Sequence, residues 1–116
     1  MAALMLVAFG VTFGGAGAGA AGQMVGGYRA VAADDAEVTA AAQFAVAAQG
    51  KKENTEIGLN SVLTAERQTV AGANYRLCLE VEVEGAAQTV SAVVYKSLQK
   101  QYQLKSWQEA DCGGGQ

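Results

Sequence analysis

The chain has 116 residues, with 8 Lys and Arg against 11 Asp and Glu, a formal net charge of −3, and no histidine or proline. This length suits one small domain, and a negative chain without a basic cluster does not indicate a nucleic-acid-binding protein. Because histidine is absent, neither a Ser-His-Asp or Cys-His catalytic site nor a His-ligated metal site can be built. We therefore expect no enzymatic activity, no metal and no cofactor.

The first 22 residues differ in composition from the rest. Residues 1–13 are mostly apolar, and residues 14–22 are only glycine and alanine. This pattern is typical of a secretory signal with small residues around its cleavage point, although no Lys or Arg precedes Arg29; the alternative is a disordered N-terminus. The apolar run is too short and too rich in glycine for a membrane span. We predict a signal peptide over residues 1–22, a secreted domain over residues 23–112 without membrane association, and a flexible tail over residues 113–116.

A short strand at residues 28–31 and then a helix over residues 35–49 are predicted first. Asp34, followed three residues later by Glu37, resembles a capping box with Asp in place of Ser or Thr. Alanine favours helix, and Gly50 suits the position just after a helix end, with two lysines following in a solvated turn. Small apolar residues recur at three- and four-residue steps, with Phe44 beside them: Val38, Ala41, Ala42, Ala45 and Ala48.

Four strands are predicted after the helix, over residues 59–67, 73–84, 89–96 and 102–109. Alternation is clearest in the second, where apolar residues from Tyr75 to Val83 face one way and Glu80, Glu82 and Glu84 the other. Such alternation favours a solvated sheet face over a catalytic carboxylate pair. A sheet with one apolar face must be covered, so we predict an α+β domain with one long helix packed on a wrapped antiparallel sheet of four to five strands.

Three motifs on this framework resemble the cystatins, and the plant type (phytocystatins) most closely. Gly26 and Gly27 precede the first strand, as in the N-terminal trunk of that family. Residues 42–46, Ala-Gln-Phe-Ala-Val, are similar to the plant helix signature, but Gln43 replaces its charged residue and Ala41 the larger aliphatic before it. Residues 68–72 match the Q-x-V-x-G first binding loop in full. Order and spacing agree over most of the domain.

The Pro-Trp of the second cystatin loop is missing. Ser106 and the only tryptophan, Trp107, superficially invite that assignment, but Ser97 and Leu98 directly follow the third predicted strand, where a short hairpin loop belongs. We therefore expect the second loop at Ser97-Leu98 and Trp107 within the last strand. Loss of a loop tryptophan removes an apolar contact worth about 2 kcal/mol or more at an interface.

The resemblance implies a reversible competitive inhibitor of papain-like cysteine proteases, secreted, monomeric and acting in plant defence. The residues expected to bind the protease are Gly26, Gly27, Gln68, Thr69, Val70, Ala71, Gly72, Ser97 and Leu98. Each of them could instead be an ordinary turn or linker residue. The alternative function is a cystatin-fold binding module with weak or no inhibition, because the second-loop Pro-Trp is absent.

The two cysteines, Cys78 and Cys112, lie 34 residues apart, which is not a metal-binding spacing. Alternation places Cys78 on the outer face of its strand, and Cys112 lies beyond the last strand, within reach of it. A disulfide between them and two free thiols are both open, and the resemblance does not decide, since plant cystatins commonly lack cysteine.

Overall fold

The computed structural model describes residues 27–112. In chain order these form strand β1 (Arg29–Val31), helix α1 (Ala36–Glu53) and strands β2 (Ile57–Val70), β3 (Gly72–Val83), β4 (Ala86–Lys96) and β5 (Tyr102–Glu109). The five strands make one antiparallel sheet in sequence order, with α1 against it. The predicted fold class, one helix on an antiparallel sheet, is confirmed. The predicted signal peptide, Gly26 and the predicted tail lie outside the described residues.

The start of α1 differs from the predicted capping box. Asp35, not Asp34, is the N-cap, and its carboxylate accepts hydrogen bonds from the backbone N–H groups of Glu37 at 2.9 Å and Val38 at 3.3 Å. These bonds satisfy donors that the first helical turn leaves without an intrahelical partner. Since the N-cap lies only two residues before it, Glu37 is not the reciprocal member of a capping box, and its carboxylate bonds to the sheet instead.

The prediction that α1 ends at Gln49 with Gly50 beyond it was wrong. The helix continues to Glu53, and Asn54 takes the left-handed conformation, with φ 55° and ψ 45°, that closes it. Asparagine tolerates this conformation better than most residues. Gly50 is needed for a different reason: a Cβ there would lie 2.8 Å from the carbonyl oxygen of Thr55, where the departing chain crosses the helix.

The core lies between α1 and the inner face of the sheet. The helix buries Val38, Ala41, Ala42, Ala45, Val46 and Gln49, so Val46 takes the place that the sequence assigned to Ala48. Across from it the sheet buries Tyr75, Leu77, Leu79, Val81, Val90, Ala92 and Val94. Small alanines let the helix approach the sheet closely, and Phe44 closes one side by stacking on Tyr102 with ring centroids 5.3 Å apart.

A disulfide on the outer face joins Cys78 of β3 to Cys112, just after β5, with the two Cα atoms 5.8 Å apart. The bond explains why Cys78 is buried although its strand neighbours on that face, Arg76 and Glu82, are exposed. The structure thus has the first of the two alternatives that the sequence left open, and the bond ties the segment after β5 to β3. Within residues 27–112, no helix has the length and apolar character needed to cross a membrane.

Candidate binding edge

The strand registers bring three segments to one edge of the sheet. Arg29 of β1 pairs with Arg67 of β2, so Gly27 lies level with Thr69 near the end of β2. Ala73 at the start of β3 pairs with Lys96 at the end of β4. The β2–β3 and β4–β5 hairpins therefore turn side by side, and the chain enters β1 next to them. We call residues 68–72 the first loop and residues 97–101 the second loop.

The first loop is tighter than the predicted five-residue connection. Strand pairing continues to Val70 and resumes at Gly72, which leaves Ala71 alone at the tip. The side-chain amide of Asn74 donates a 2.9 Å hydrogen bond to Oε1 of Gln68, which fastens the two strands to each other below the tip. Thr69 and Ala71 are exposed, and Val70 is half-buried. The result is a narrow, uncharged projection.

The second loop lies where the sequence predicted it, between β4 and β5, and Trp107 lies within β5 against the core. The N–H of Ser97 donates to the carbonyl oxygen of Gln101 at 2.8 Å, and the N–H of Lys100 donates to the carbonyl oxygen of Ser97 at 2.9 Å. Lys100 has φ 67°, the left-handed conformation that completes the turn. Leu98 lies on this turn with 70% of its surface exposed, more than any other large apolar residue within residues 27–112.

The two loops are in direct contact. The Tyr95 hydroxyl, near the end of β4, donates a hydrogen bond to the carbonyl oxygen of Ala71 at the tip of the first loop. Gly72 has φ 101°, and a Cβ on it would lie 2.4 Å from the carbonyl oxygen of Lys96. Only glycine fits this conformation and this close approach. The loops therefore form one unit, and sequence reasoning missed Tyr95, because nothing in its strand pattern distinguishes it from its neighbours.

A polar contact behind the loops ties the start of α1 to the sheet. The hydroxyl of Tyr75, a residue only 1% exposed, donates a hydrogen bond to Oε1 of Glu37, and Nζ of Lys96 lies 3.7 Å from the same oxygen. Two interactions hold the pKa of Glu37 below its ordinary value of 4.5: chiefly the hydrogen bond from Tyr75 and, to a lesser extent, the positive charge of Lys96. Burial, with the bond to Glu37, raises the pKa of Tyr75 to about 12. Sequence reasoning missed this contact, because it assigned Glu37 to the helix cap.

The chemistry available at this edge is that of a binding surface. The exposed side chains of Thr69, Ala71 and Leu98 are small or apolar, and Lys100 adds an exposed positive charge on the second loop. Among residues 27–112, no three His, Cys, Asp or Glu side chains lie close enough to hold a metal ion. The edge has the shape to fill a cleft in another protein.

Comparisons with known proteins give the family. The model of a family described as "SQAPI: Aspartic acid proteinase inhibitor" matches residues 31–110, which include α1, strands β2 to β5 and both loops. Cysteine proteinase inhibitor 1 of Actinidia chinensis var. chinensis is 37% identical over 81 residues, a match that covers 62% of this chain and 70% of that protein.

Solved structures share the fold. The salivary cystatin of the soft tick Ornithodoros moubata superposes with a TM-score of 0.64 at 23% identity, over 73% of this chain and 97% of that one. Al-CPI superposes with a TM-score of 0.60 at 18% identity, over 73% of this chain and all of that one. The family match, the plant relative and the shared fold lead to one assignment: the chain belongs to the plant-type cystatins, a family of proteinase inhibitors rather than enzymes.

Proposed function

We propose that this protein is a secreted, monomeric inhibitor of papain-like cysteine proteases that blocks the active-site cleft reversibly and in competition with substrate, in the service of plant defence. The observation that carries the proposal is the first loop: its residues match Q-x-V-x-G in full, and they project beside Leu98 from one edge of the sheet. The plant relative, a cysteine proteinase inhibitor by name, supports the same target class.

Inhibition would follow from shape and burial, without a covalent step. The first loop enters the cleft with Thr69 and Ala71 foremost, while Gly72 holds the loop against the second one. The segment before β1, with Gly26 and Gly27, bends into the adjoining subsites. Interfaces of this kind bury about 800 Å² on each partner and exclude water from a central apolar contact.

The second loop contributes less than a Pro-Trp loop would. Leu98 supplies an exposed apolar side chain, but its area is smaller than that of a tryptophan. A loss of about 2 kcal/mol at a central contact weakens binding about 30-fold. We therefore expect inhibition that is measurable but weaker than that of a relative with the full second loop.

A second candidate target class follows from the family description, which names aspartic acid proteinases. The same edge could block the cleft of such a protease, since the contact requires a narrow uncharged projection and no catalytic group. The Q-x-V-x-G match favours the cysteine class. If the protein inhibits neither class, it is a cystatin-fold binding module, the alternative raised by the missing Pro-Trp.

The deciding experiment is a titration of papain and of pepsin with the protein secreted from a eukaryotic host. N-terminal sequencing of the product shows at the same time whether the predicted signal has been removed. Stoichiometric, substrate-competitive inhibition of papain supports the proposal, whereas inhibition of pepsin alone moves the function to the aspartic class. Circular dichroism establishes that a sample without activity is folded.

A matched pair of variants tests whether the first loop enters the protease cleft. Ala71→Asp places a charge on the exposed tip of the first loop, and Ala87→Asp places the same charge on exposed backbone near the opposite end of the sheet. Burying an unpaired carboxylate in a protease cleft is costly, so we expect Ala71→Asp to weaken inhibition by about 100-fold or more. Ala87→Asp is expected to inhibit like the parent. Equal inhibition by both variants would mean that the first loop does not enter the cleft.

A further inference from the structure

A depression of about 200 Å³ lies directly behind the two loops, and its walls carry an excess of positive charge. Arg67, Lys96 and Lys100 line it, and Glu37 is the one carboxylate among the residues that do so within the described chain. Gly72, Ser97 and Leu98 form its outer side. The depression therefore adjoins the surface that we propose to enter the protease cleft.

Only part of this positive charge is balanced within the molecule. Glu37 is already engaged by the Tyr75 hydroxyl and by Lys96, whose side chain is only 18% exposed. The guanidinium of Arg67 lies over the Tyr75 ring, 5.8 Å from its centroid. On the adjacent strand, the residue opposite Arg67 is another cation, Arg29. In the part of the chain that the structure describes, neither Arg29 nor Lys100 has a carboxylate within ion-pairing distance.

The positive edge contrasts with the chain as a whole, whose net charge is −3. Carboxylates lie at the other end of the sheet, around the end of α1 and the β3–β4 turn, where Lys51 and Lys52 offset part of their charge: Glu53, Glu56, Glu82 and Glu84. Among the residues that line the depression, by contrast, three cations face one carboxylate. A positive surface of this kind speeds association with a negatively charged partner and favours such a partner over others, more than it raises the final affinity.

We propose that this depression receives an acidic side chain from the rim of the target's cleft, so that the protein selects papain-like proteases whose cleft rim is acidic. The inference rests on the proposed function and narrows it from a protease class to a subclass defined by charge. Arg67 supplies a planar fork of donors suited to a carboxylate, and Lys100 supplies a mobile point charge on the loop itself. Because Lys96 is already paired with Glu37, it contributes mainly long-range electrostatic attraction rather than a direct contact.

The test compares two doubly substituted proteins of equal net charge. Arg67→Gln with Lys100→Gln removes two charges from the depression, and Lys51→Gln with Lys52→Gln removes two from the exposed last turn of α1, remote from the loops. Association and dissociation rates are measured in 20 mM and 500 mM NaCl against two papain-like proteases, an acidic one with carboxylates at its cleft rim and a basic one with cations there.

For the acidic protease at low salt, we expect the depression variant to associate about three- to tenfold more slowly than the parent, while the helix variant stays within about 1.5-fold. The difference should shrink in 500 mM NaCl, where charges are screened over a few ångströms. For the basic protease, the depression variant should associate as fast as the parent or faster.

Three outcomes would count against the proposal. If the parent inhibits both proteases and the two variants associate equally with the acidic one, the charge selection is wrong and the proposed function survives. If the depression variant is slowed equally against both proteases, its residues contribute contacts rather than selection by charge. If the folded parent inhibits neither protease, the proposed function fails, and this inference fails with it.

Discussion

Tyr95 gives the most direct test of the idea that the two loops act as one preformed unit. Its hydroxyl donates a hydrogen bond to the Ala71 carbonyl oxygen, which links the end of β4 to the tip of the first loop. Tyr95→Phe removes this bond and keeps the ring, so that the packing of the strand is unchanged. The first loop then loses its attachment and samples other conformations before it binds.

The expected magnitude follows from the environment of that bond. A hydrogen bond within a protein contributes about 0.5–1.5 kcal/mol net, and this one lies at an exposed position, where water can replace the lost donor. We therefore take the lower part of the range, about 0.5–1 kcal/mol. Because 1.4 kcal/mol corresponds to a tenfold change in an equilibrium constant, inhibition should weaken about two- to fivefold.

The assay is the inhibition constant against papain, together with amide hydrogen exchange over residues 69–73. Tyr102→Phe is the matched control, since it makes the same chemical change on the neighbouring strand, where the hydroxyl has no hydrogen-bond partner among the described residues. We expect faster exchange and weaker inhibition for Tyr95→Phe only, with melting temperatures within a few degrees of the parent. If both variants bind papain equally tightly and exchange equally fast, the loops are not held together by Tyr95.

Three further predictions concern the conformation, covalent closure and charge of the same framework. In urea unfolding, Gly72→Ala should destabilise the protein by at least about 1 kcal/mol more than Gly85→Ala. Both glycines have positive φ, but only at Gly72 is there no space for a Cβ. Equal losses of stability would contradict the close approach of Gly72 to Lys96. Replacing Cys78 and Cys112 by alanine should lower the free energy of unfolding by about 3–4 kcal/mol, because the disulfide closes a loop between residues 34 positions apart. Papain inhibition should be retained, since the bond lies about 20 Å from the two loops. Lost inhibition in a folded variant would refute this expectation. The lowered pKa of Glu37 adds stability above pH 4.5 that is lost as the pH falls through its folded-state value. Glu37→Gln should therefore lower the urea midpoint more at pH 7 than at pH 3, and an equal shift at both would count against this contribution.

Hydrophobic periodicity was sufficient to predict the fold. Alternation predicted the buried face of β3 correctly, from Tyr75 to Val81, and the span of β5 was predicted without error. The errors fell at element ends, where local hydrogen bonds compete. Two adjacent aspartates precede α1, and spacing alone could not show that Asp35 would be the cap. Gly50 has the composition of a helix terminator, but close passage of the chain at Thr55 is what requires it.

The positions of the two loops could be predicted from the sequence, but the contacts that hold them could not. The end of the preceding predicted strand and the usual length of a hairpin loop sufficed to place the second loop at Ser97-Leu98. The Tyr95 hydrogen bond and the Glu37–Tyr75 contact join residues 24 and 38 positions apart, and no local pattern marks either. Such pairs become visible only when the register of the whole sheet is known. The protease-binding role of the loop residues stays a prediction.

The bond between Cys78 and Cys112 makes the two loops unequal towards cleavage by a protease. It closes a covalent ring that contains β4, the second loop and β5, whereas the first loop lies outside the ring. A cut at Leu98 would leave both fragments joined through the disulfide and through the pairing of β4 with β5, and the loop ends would stay beside each other for a further encounter. A cut at Ala71 would divide the chain into two pieces joined only by noncovalent contacts. The covalent ring would thus keep the second loop, with the exposed Leu98, attached to the rest of the protein after a cut.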